Sequence, residues 1–481
     1  MSNAPEKQNL SVIVIGVGTG TGGLCLAHGL RRAGITVNVF ERDRTRKDGL
    51  QGFRVGIDPD GCRALDANLP PALYETFLAT CAISPHWFNM LSEHYGELLS
   101  LKPSPPRDPL HGERSVSRMT LRQVLLTGLE DVTHFDKVFS RYEQRTDGQV
   151  EAFFEDGSSA VADVLVAADG SNSRIRRQYL PQAEMDDTLI RSIGGKVPAT
   201  PETLALLTPK IHRGVTLIMA PRGFGGILHV MEFPWDKAGA PKQGIGTTDA
   251  DLIAQWPGLR FDNSRDYISW GIWAAADKFP QDLRTMNGET LLALSQSLTA
   301  KWHPNWRRLL AASDPNSVFP VVIRTSVPVE PWAPSNVTLL GDAIHTMTPG
   351  CGVGANTALR DAALLTRHLK VVQEGSAGLV EAIGAYEAQM RRYSNEAVER
   401  SRQQMDGRTV IHKPVIGRAL LACQRTAMRL VNVTPPLKRK MLHSLEALRG
   451  GEREADGVVQ RAQCRSVENA QEQAIHAKLA G

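Results

Sequence analysis

The chain reads as an α/β fold with a parallel sheet, a mainly antiparallel β-sheet inserted into it, and a helical C-terminus. Three observations predict this. An N-terminal stretch, residues 11–41, has the pattern of a β-α-β unit with a glycine-rich turn. Two later apolar runs, 164–168 and 337–340, each end abruptly in an Asp-Gly or Gly-Asp corner. Between them, short β-type runs are separated by Gly, Pro and Asp clusters.

Val12 to Ile15 form the first expected strand, ending at Gly16. Glycines follow through Gly23, and Leu26, Leu30 and Ala33 mark an amphipathic helix that closes at Gly34. A second strand, Val37 to Phe40, delivers Glu41. In such a unit the glycines admit a pyrophosphate to a helix N-terminus, and the terminal acid takes ribose hydroxyls. The run Gly16-Val17-Gly18-Thr19-Gly20-Thr21-Gly22-Gly23 holds two overlapping registers. One starts at Gly16; the other, which we prefer, uses Gly18, Gly20 and Gly23 and places Glu41 about twenty residues beyond the fingerprint. It leaves two extra residues between the strand and the first glycine.

Val164 to Ala168 form a third apolar strand ending at Asp169-Gly170, with Ser171 or Ser173 placed to cap a helix. From about Met185 to Phe319 the runs Gly214–Met219, Gly225–Met231 and Tyr267–Trp273 suggest an antiparallel sheet. Val337 to Leu340 then lead into Gly341-Asp342, a glycine-rich loop from Pro349 to Gly354, and a helix with Ala355, Ala358, Ala362, Leu365 and Leu369 on one face. A carboxylate at a strand end can take a sugar hydroxyl, and loop glycines let backbone N–H groups approach a ligand. The helix N-terminus that follows favours negative charge. This is a site for a polyhydroxylated cofactor that becomes anionic.

The stretch Gly341, Asp342, Ala343, His345, Pro349, Gly352, Gly354, Asn356, Asp361 and Ala362 resembles the ribityl-binding motif of the single-component FAD-dependent aromatic hydroxylases. Gly22-Gly23-Leu24 and the Asp169, Gly170, Ser173, Arg174 segment resemble two further motifs of that family, in the same order. The resemblance implies a Rossmann-type FAD-binding domain over 10–185 and 317–375, a substrate-binding sheet domain over 186–316, C-terminal helices over 376–450 and a poorly ordered tail over 451–481. It implies that Asp342 binds the ribityl chain, that Pro349 sits near the flavin edge, and that the backbone from Gly352 through Gly354 and Ala355 to Asn356 faces the pyrimidine end of the ring system. Asp169 would lie near the pyrophosphate, with Arg118 on the phosphates, Arg122 a weaker candidate, and Arg54 near the flavin and its reductant. Gly18, Gly20, Gly23, Glu41 and the adjacent Arg42 complete the expected cofactor set. His345 is expected to be structural.

The implied activity is a monooxygenase that uses NADPH or NADH and dioxygen to hydroxylate or epoxidise an aromatic, polycyclic or polyketide-like molecule through a flavin C4a-hydroperoxide. A flavin oxidase or dehydrogenase, and a non-redox flavoprotein cyclase or isomerase, are the alternatives on this scaffold. Flavin-dependent halogenation is disfavoured, because Trp270 and Trp273 do not make a W-x-W-x-I-P motif. Oxygen transfer needs no acid-base pair, so no catalytic residue is assigned; His229 is a candidate base for activating a phenol, and a structural histidine fits the position equally well.

A net charge of +4 over 481 residues, with the two signs interspersed, implies no nucleic-acid surface. Six scattered cysteines show no metal-ligand spacing and suit a reducing cytoplasm. The first ten residues carry no secretory pattern, and no apolar run reaches membrane-spanning length. The apolar and basic stretch 415–445 is therefore expected to pack on the protein rather than on a membrane, in a monomer or homodimer.

Overall fold

Strands β1 (Ser11–Ile15), β2 (Thr36–Phe40), β7 (Thr133–His134), β11 (Val164–Ala167) and β17 (Val337–Leu339) form a parallel sheet in the order β17-β11-β1-β2-β7. The central strands are continuous apolar runs because both faces of the sheet are covered, one by the helix Thr21–Arg32 and the other by antiparallel strands within 139–162, where Phe154 stacks on Phe40. The computed structural model describes residues 9–16, 20–46, 54–106, 108–234 and 266–448. Gly18 and the tail 451–481 therefore lie outside the described residues.

The register aligns the strand ends. Ile15 lies beside Phe40 and Ala167, and Ala167 beside Leu339. Gly16, Glu41, Asp169 and Asp342 consequently leave the sheet together at its carboxyl edge, where open α/β sheets bind ligands. On one face the helices Thr21–Arg32 and Gly354–Gln373 run in close contact. A Cβ at Gly22 would lie 2.9 Å from the Ala358 carbonyl oxygen, and one at Gly29 would lie 2.5 Å from Thr366 Oγ1. These two glycines permit the close approach, so Gly22 serves helix packing.

A second sheet has the order β16-β12-β15-β14-β13-β4-β5, from β4 (Trp87–Ser92), β5 (Glu97–Leu101), β12 (Met185–Pro198), β13 (Gly214–Met219), β14 (Gly225–Met231), β15 (Tyr267–Ala275) and β16 (Phe319–Ser326). Its pairs are antiparallel except β13 with β4. The sheet therefore extends beyond the block 186–316 expected from the motifs, taking β4 and β5 from before it and β16 from after it. Pairing of β4 with β13 joins residues over a hundred positions apart, and such a contact leaves no local signature.

This sheet has two unlike faces. Leu91, Ile218, Leu228, Ile268, Trp270 and Ile272 are buried against the helices Gly288–Leu298 and Pro304–Ala311, with Trp302 and Trp306 between. On the opposite face Phe88, Met90, Val215, Leu217, Ile227 and Trp273 are only half-buried. Strand period forces this alternation. A two-stranded ribbon of β3 (Arg54–Ile57) and β6 (Arg114–Ser117), and a three-stranded meander of β8 (Phe139–Gln144), β9 (Val150–Phe154) and β10 (Ser159–Ala162), complete the strands among the described residues.

The helix Leu379–Gln404 is tied to the parallel sheet by the buried Tyr386 hydroxyl, which donates to the Leu339 carbonyl at 2.8 Å. The helices Ile416–Val433 and Pro435–Leu448 attach more loosely. Only Gly417 and Leu421 of the first are buried, while Ile416 is 59% and Val433 74% exposed, so the expected packing of 415–445 is partial. No helix among the described residues is long and apolar enough to cross a membrane.

Candidate cofactor and substrate site

Gly16 has φ +78°, and a Cβ there would lie 2.3 Å from the Asp169 Cα. The first turn and the Asp-Gly corner thus touch backbone to backbone, and only glycine meets both demands. Gly16 was left out of the preferred glycine register, and its requirement comes from a residue far away in the chain. Gly20 is the N-cap of Thr21–Arg32 and offers no side-chain cap; Gly23 is buried in the first turn. The N–H groups at this helix start are left for a ligand or solvent.

Glu41 follows β2 and is 1% exposed, with Oε1 accepting the Asp43 N–H at 3.0 Å. Arg42 is exposed. Arg122 is committed to this loop, donating to the Arg46 carbonyl at 2.7 Å and to Asp43 at 3.1 Å. These bonds shape the turn after β2.

Asp169 Oδ2 accepts the Arg174 N–H at 2.9 Å, while Oδ1 is buried with no partner among the described residues. Burial raises its pKa, opposed by hydrogen bonds from Ser173 and Arg174. Ser173 caps the helix Arg174–Tyr179, as the sequence suggests. Buried Arg176 donates to the Ala343 carbonyl and to the Ser171 carbonyl, both at 2.8 Å, and so pins the Asp169 corner to the Asp342 corner. Sequence reasoning passed over Arg176; its position two residues beyond Arg174 carried no signal of that contact.

Gly341 has φ +59° and ψ −142°, a glycine conformation, and it turns the chain so that Asp342 opens a short helix, Asp342–His345. Asp342 is solvent-accessible but sits in a corner where protein displaces much of its water. That desolvation, opposed by the charges of His345 and Arg118, raises its pKa. The same opposition puts Arg118, the first residue of the helix Arg118–Leu126, within electrostatic reach of Asp342.

Behind this corner Asp361 is completely buried. It accepts the Gly341 N–H at 2.8 Å, the His345 Nε2–H at 2.6 Å and the Tyr393 hydroxyl at 2.6 Å. Burial alone would lower the His345 pKa, but the Asp361 charge and hydrogen bond outweigh it and raise the pKa.

The loop beyond keeps Pro349 exposed and Gly352 at φ +65°. Gly354 begins the helix Gly354–Gln373, whose start has no side-chain cap. Ala355 is half-buried in its first turn. The Asn356 side chain accepts the Asp58 N–H and donates to the Gly56 carbonyl, both at 3.0 Å. It therefore clamps β3, which carries Arg54, against the loop. Arg54 donates from Nε to Ser115 at 3.0 Å, and its charge lowers the pKa of His229 on the second sheet. Most of the expected cofactor residues thus line one edge, and Arg54 reaches from it toward the half-buried sheet face.

A family model described as an FAD binding domain matches residues 296–401. The solved structure of an FAD-containing monooxygenase from Photorhabdus luminescens superposes with a TM-score of 0.70 and 34% identity, covering 84% of this chain and all of that one. The chain belongs to the FAD-dependent monooxygenases. Among curated relatives, the dual O-methyltransferase/FAD-dependent monooxygenase CTB3 of Cercospora beticola is 32% identical over 410 residues, which is 81% of this chain and 45% of CTB3. The chain thus spans about half the length of the first curated relatives it matches. The FAD-dependent urate hydroxylase of Klebsiella pneumoniae is 27% identical over 395 residues, covering 81% of this chain and 88% of that enzyme.

The residues of this family member fit FAD. Two long helices start at the same edge without side-chain caps, a buried Asp169 oxygen lacks a donor among the described residues, and the solvent-accessible Asp342 leaves the sheet at that edge.

Proposed function

We propose that the chain is an FAD-dependent monooxygenase that uses NADPH or NADH and dioxygen to hydroxylate or epoxidise an aromatic or polyketide-like small molecule. The observation that carries this reading is the meeting of two surfaces. Arg54 of the cofactor edge donates to Ser115, and Ser115 pairs with Ala82. The next N–H, that of Ile83, donates at 2.8 Å to the Glu232 carbonyl just past β14, so the cofactor edge adjoins the seven-stranded sheet that carries His229 and the half-buried apolar face. An apolar site of this kind suits a planar ligand held by few polar groups.

Asp342 is the acceptor for ribityl hydroxyls, Glu41 for the adenosine ribose, and Gly20 and Gly23 open the helix start to the pyrophosphate, with Arg118 and Asp169 beside it. The N–H groups at Gly354, Ala355 and Asn356 and the dipole of their helix stabilise negative charge at the pyrimidine end. FAD bound there would pass electrons from a nicotinamide to dioxygen and deliver one oxygen atom. Phe88, Met90 and Trp273 exclude water from the reacting face. The free cysteines among the described residues, Cys25, Cys62, Cys81, Cys351 and Cys423, suit a cytoplasmic enzyme.

Rapid mixing of the chemically reduced, FAD-loaded chain with oxygenated buffer tests this, with and without a panel of aromatic compounds. A transient absorbance distinct from reduced and oxidised flavin is expected, with oxygen from labelled dioxygen entering a product. Direct return to oxidised flavin with every compound would make the chain an oxidase or dehydrogenase instead.

A further inference from the structure

The half-buried face of the seven-stranded sheet has an apolar floor. In one cross-strand row Gly194, Gly271, Ile227, Leu217 and Met90 lie side by side. Five residues span about 19 Å at the usual strand spacing of about 4.8 Å, several ring widths. Gly194 and Gly271 bring no side chains, so backbone forms the floor there, edged by Ile227, whose Cγ2 would lie 3.2 Å from a Cβ at Gly271, and by the Phe319 ring, 3.9 Å from a Cβ at Gly194. Beside them the Trp273 indole lies over Gly225, where a Cβ would stand 2.2 Å from its ring. Trp273 also packs against the cluster of Ile190, Ile323 and Met405, and a Cβ at Gly350 of the cofactor loop would lie 3.3 Å from Met405 Cγ. One side of the floor therefore abuts the cofactor loop.

The next cross-strand row holds His229, between Val215 and Ser269. It is 2% exposed, and neither ring nitrogen has a hydrogen-bond partner among the described residues. Burial, then the Arg54 charge, lower its pKa well below the ordinary value. The Gly214 backbone, which offsets this in part, lies outside hydrogen-bonding geometry. A neutral imidazole buried without partners is costly and awaits one. Among the described residues, the charged group that acts on it is Arg54, on the strand that the Asn356 clamp holds at the cofactor edge.

We propose that His229 determines substrate specificity by accepting a hydrogen bond from an aromatic hydroxyl, with Arg54 alongside that oxygen, and that the substrate is a fused-ring aromatic lying flat on the Gly194–Gly271 floor. This deepens, and rests on, the monooxygenase reading above. A one-ring ligand leaves much of the floor wet. A methyl ether cannot donate to the imidazole and leaves it unpartnered.

The test is titration of the FAD-loaded full chain with phenol, 2-naphthol and 2-methoxynaphthalene, followed by the flavin absorbance. 2-Naphthol should bind at least tenfold more tightly than either of the others. His229→Leu should bring 2-naphthol and its ether within threefold of each other, and Gly271→Val should remove the advantage of 2-naphthol over phenol, with FAD content and melting temperature confirming folding. Equal affinity of the native chain for 2-naphthol and its ether overturns the proposal even if a variant fails to fold. So does a preserved tenfold preference in flavin-loaded His229→Leu, or no spectral change with any of the three compounds. Rapid mixing reports on the flavin and oxygen separately, so failure here with a transient species there would leave the monooxygenase reading standing.

Discussion

Asp342 and Asp361 divide the work of the Gly-Asp corner. Asp342 faces solvent and is held in its ionised form at some cost, because desolvation raises its pKa. Asp342→Ala should leave a folded apoprotein with an unchanged or slightly higher melting temperature. Loss of two charge-assisted hydrogen bonds of about 1.5–3 kcal/mol each should weaken FAD binding at least about a hundredfold. A variant that purifies fully flavinylated would count against the ribityl role. Asp361 works through His345, whose folded pKa is raised. Such a group contributes stability fully below its unfolded pKa of about 6.5, and that stability is lost as pH rises through the folded value. The melting temperature of the native chain should therefore exceed that of His345→Gln most at about pH 6, with the gap narrowing at alkaline pH. A gap independent of pH would mean that the imidazole is not charged.

At the scale of elements, two helices share a seam of small residues directly beneath the cofactor edge. A Cβ at Gly22 would lie 2.9 Å from the Ala358 carbonyl oxygen, a backbone atom that cannot give way as a flexible side chain would. Gly22→Val should separate the helices, lower stability by about 1–3 kcal/mol in urea unfolding, and weaken FAD binding because the helix start moves. Retained stability would place the close approach elsewhere. The loop after β2 is similarly built from contacts: Arg122 and Arg46 brace it.

In the whole molecule, the cofactor edge and the apolar face come from two sheets with separate hydrophobic cores. The ribbon β3–β6 and the long helix Leu379–Gln404 connect them, and the last helix stands outside this frame. Among its residues from Pro435 to Ala447 none is buried, and Glu446 accepts an exposed Ser104 N–H at 3.2 Å. A chain ending after Thr434 should keep its FAD affinity and melt within about two degrees of the full chain, since surface residues contribute little. A large drop would show that this helix closes the site.

The sequence by itself determined the strand–turn–helix corners. Glycine at the Gly-Asp turn, the apolar run before Asp169 and the helix after Gly354 are each written within a dozen residues, at the range where backbone preference and side-chain period act. It also determined the strands Gly214–Met219 and Gly225–Met231, whose spans the structure reproduces. Tertiary structure alone decided which residues meet. Gly16 is required because Asp169 crowds it, Arg176 matters because Ala343 lies opposite, and the second sheet gains β4 because β13 needs an edge partner. His229 comes under the charge of Arg54 for the same kind of reason. Contacts between distant segments are selected by packing of the folded chain, and no local residue pattern encodes them.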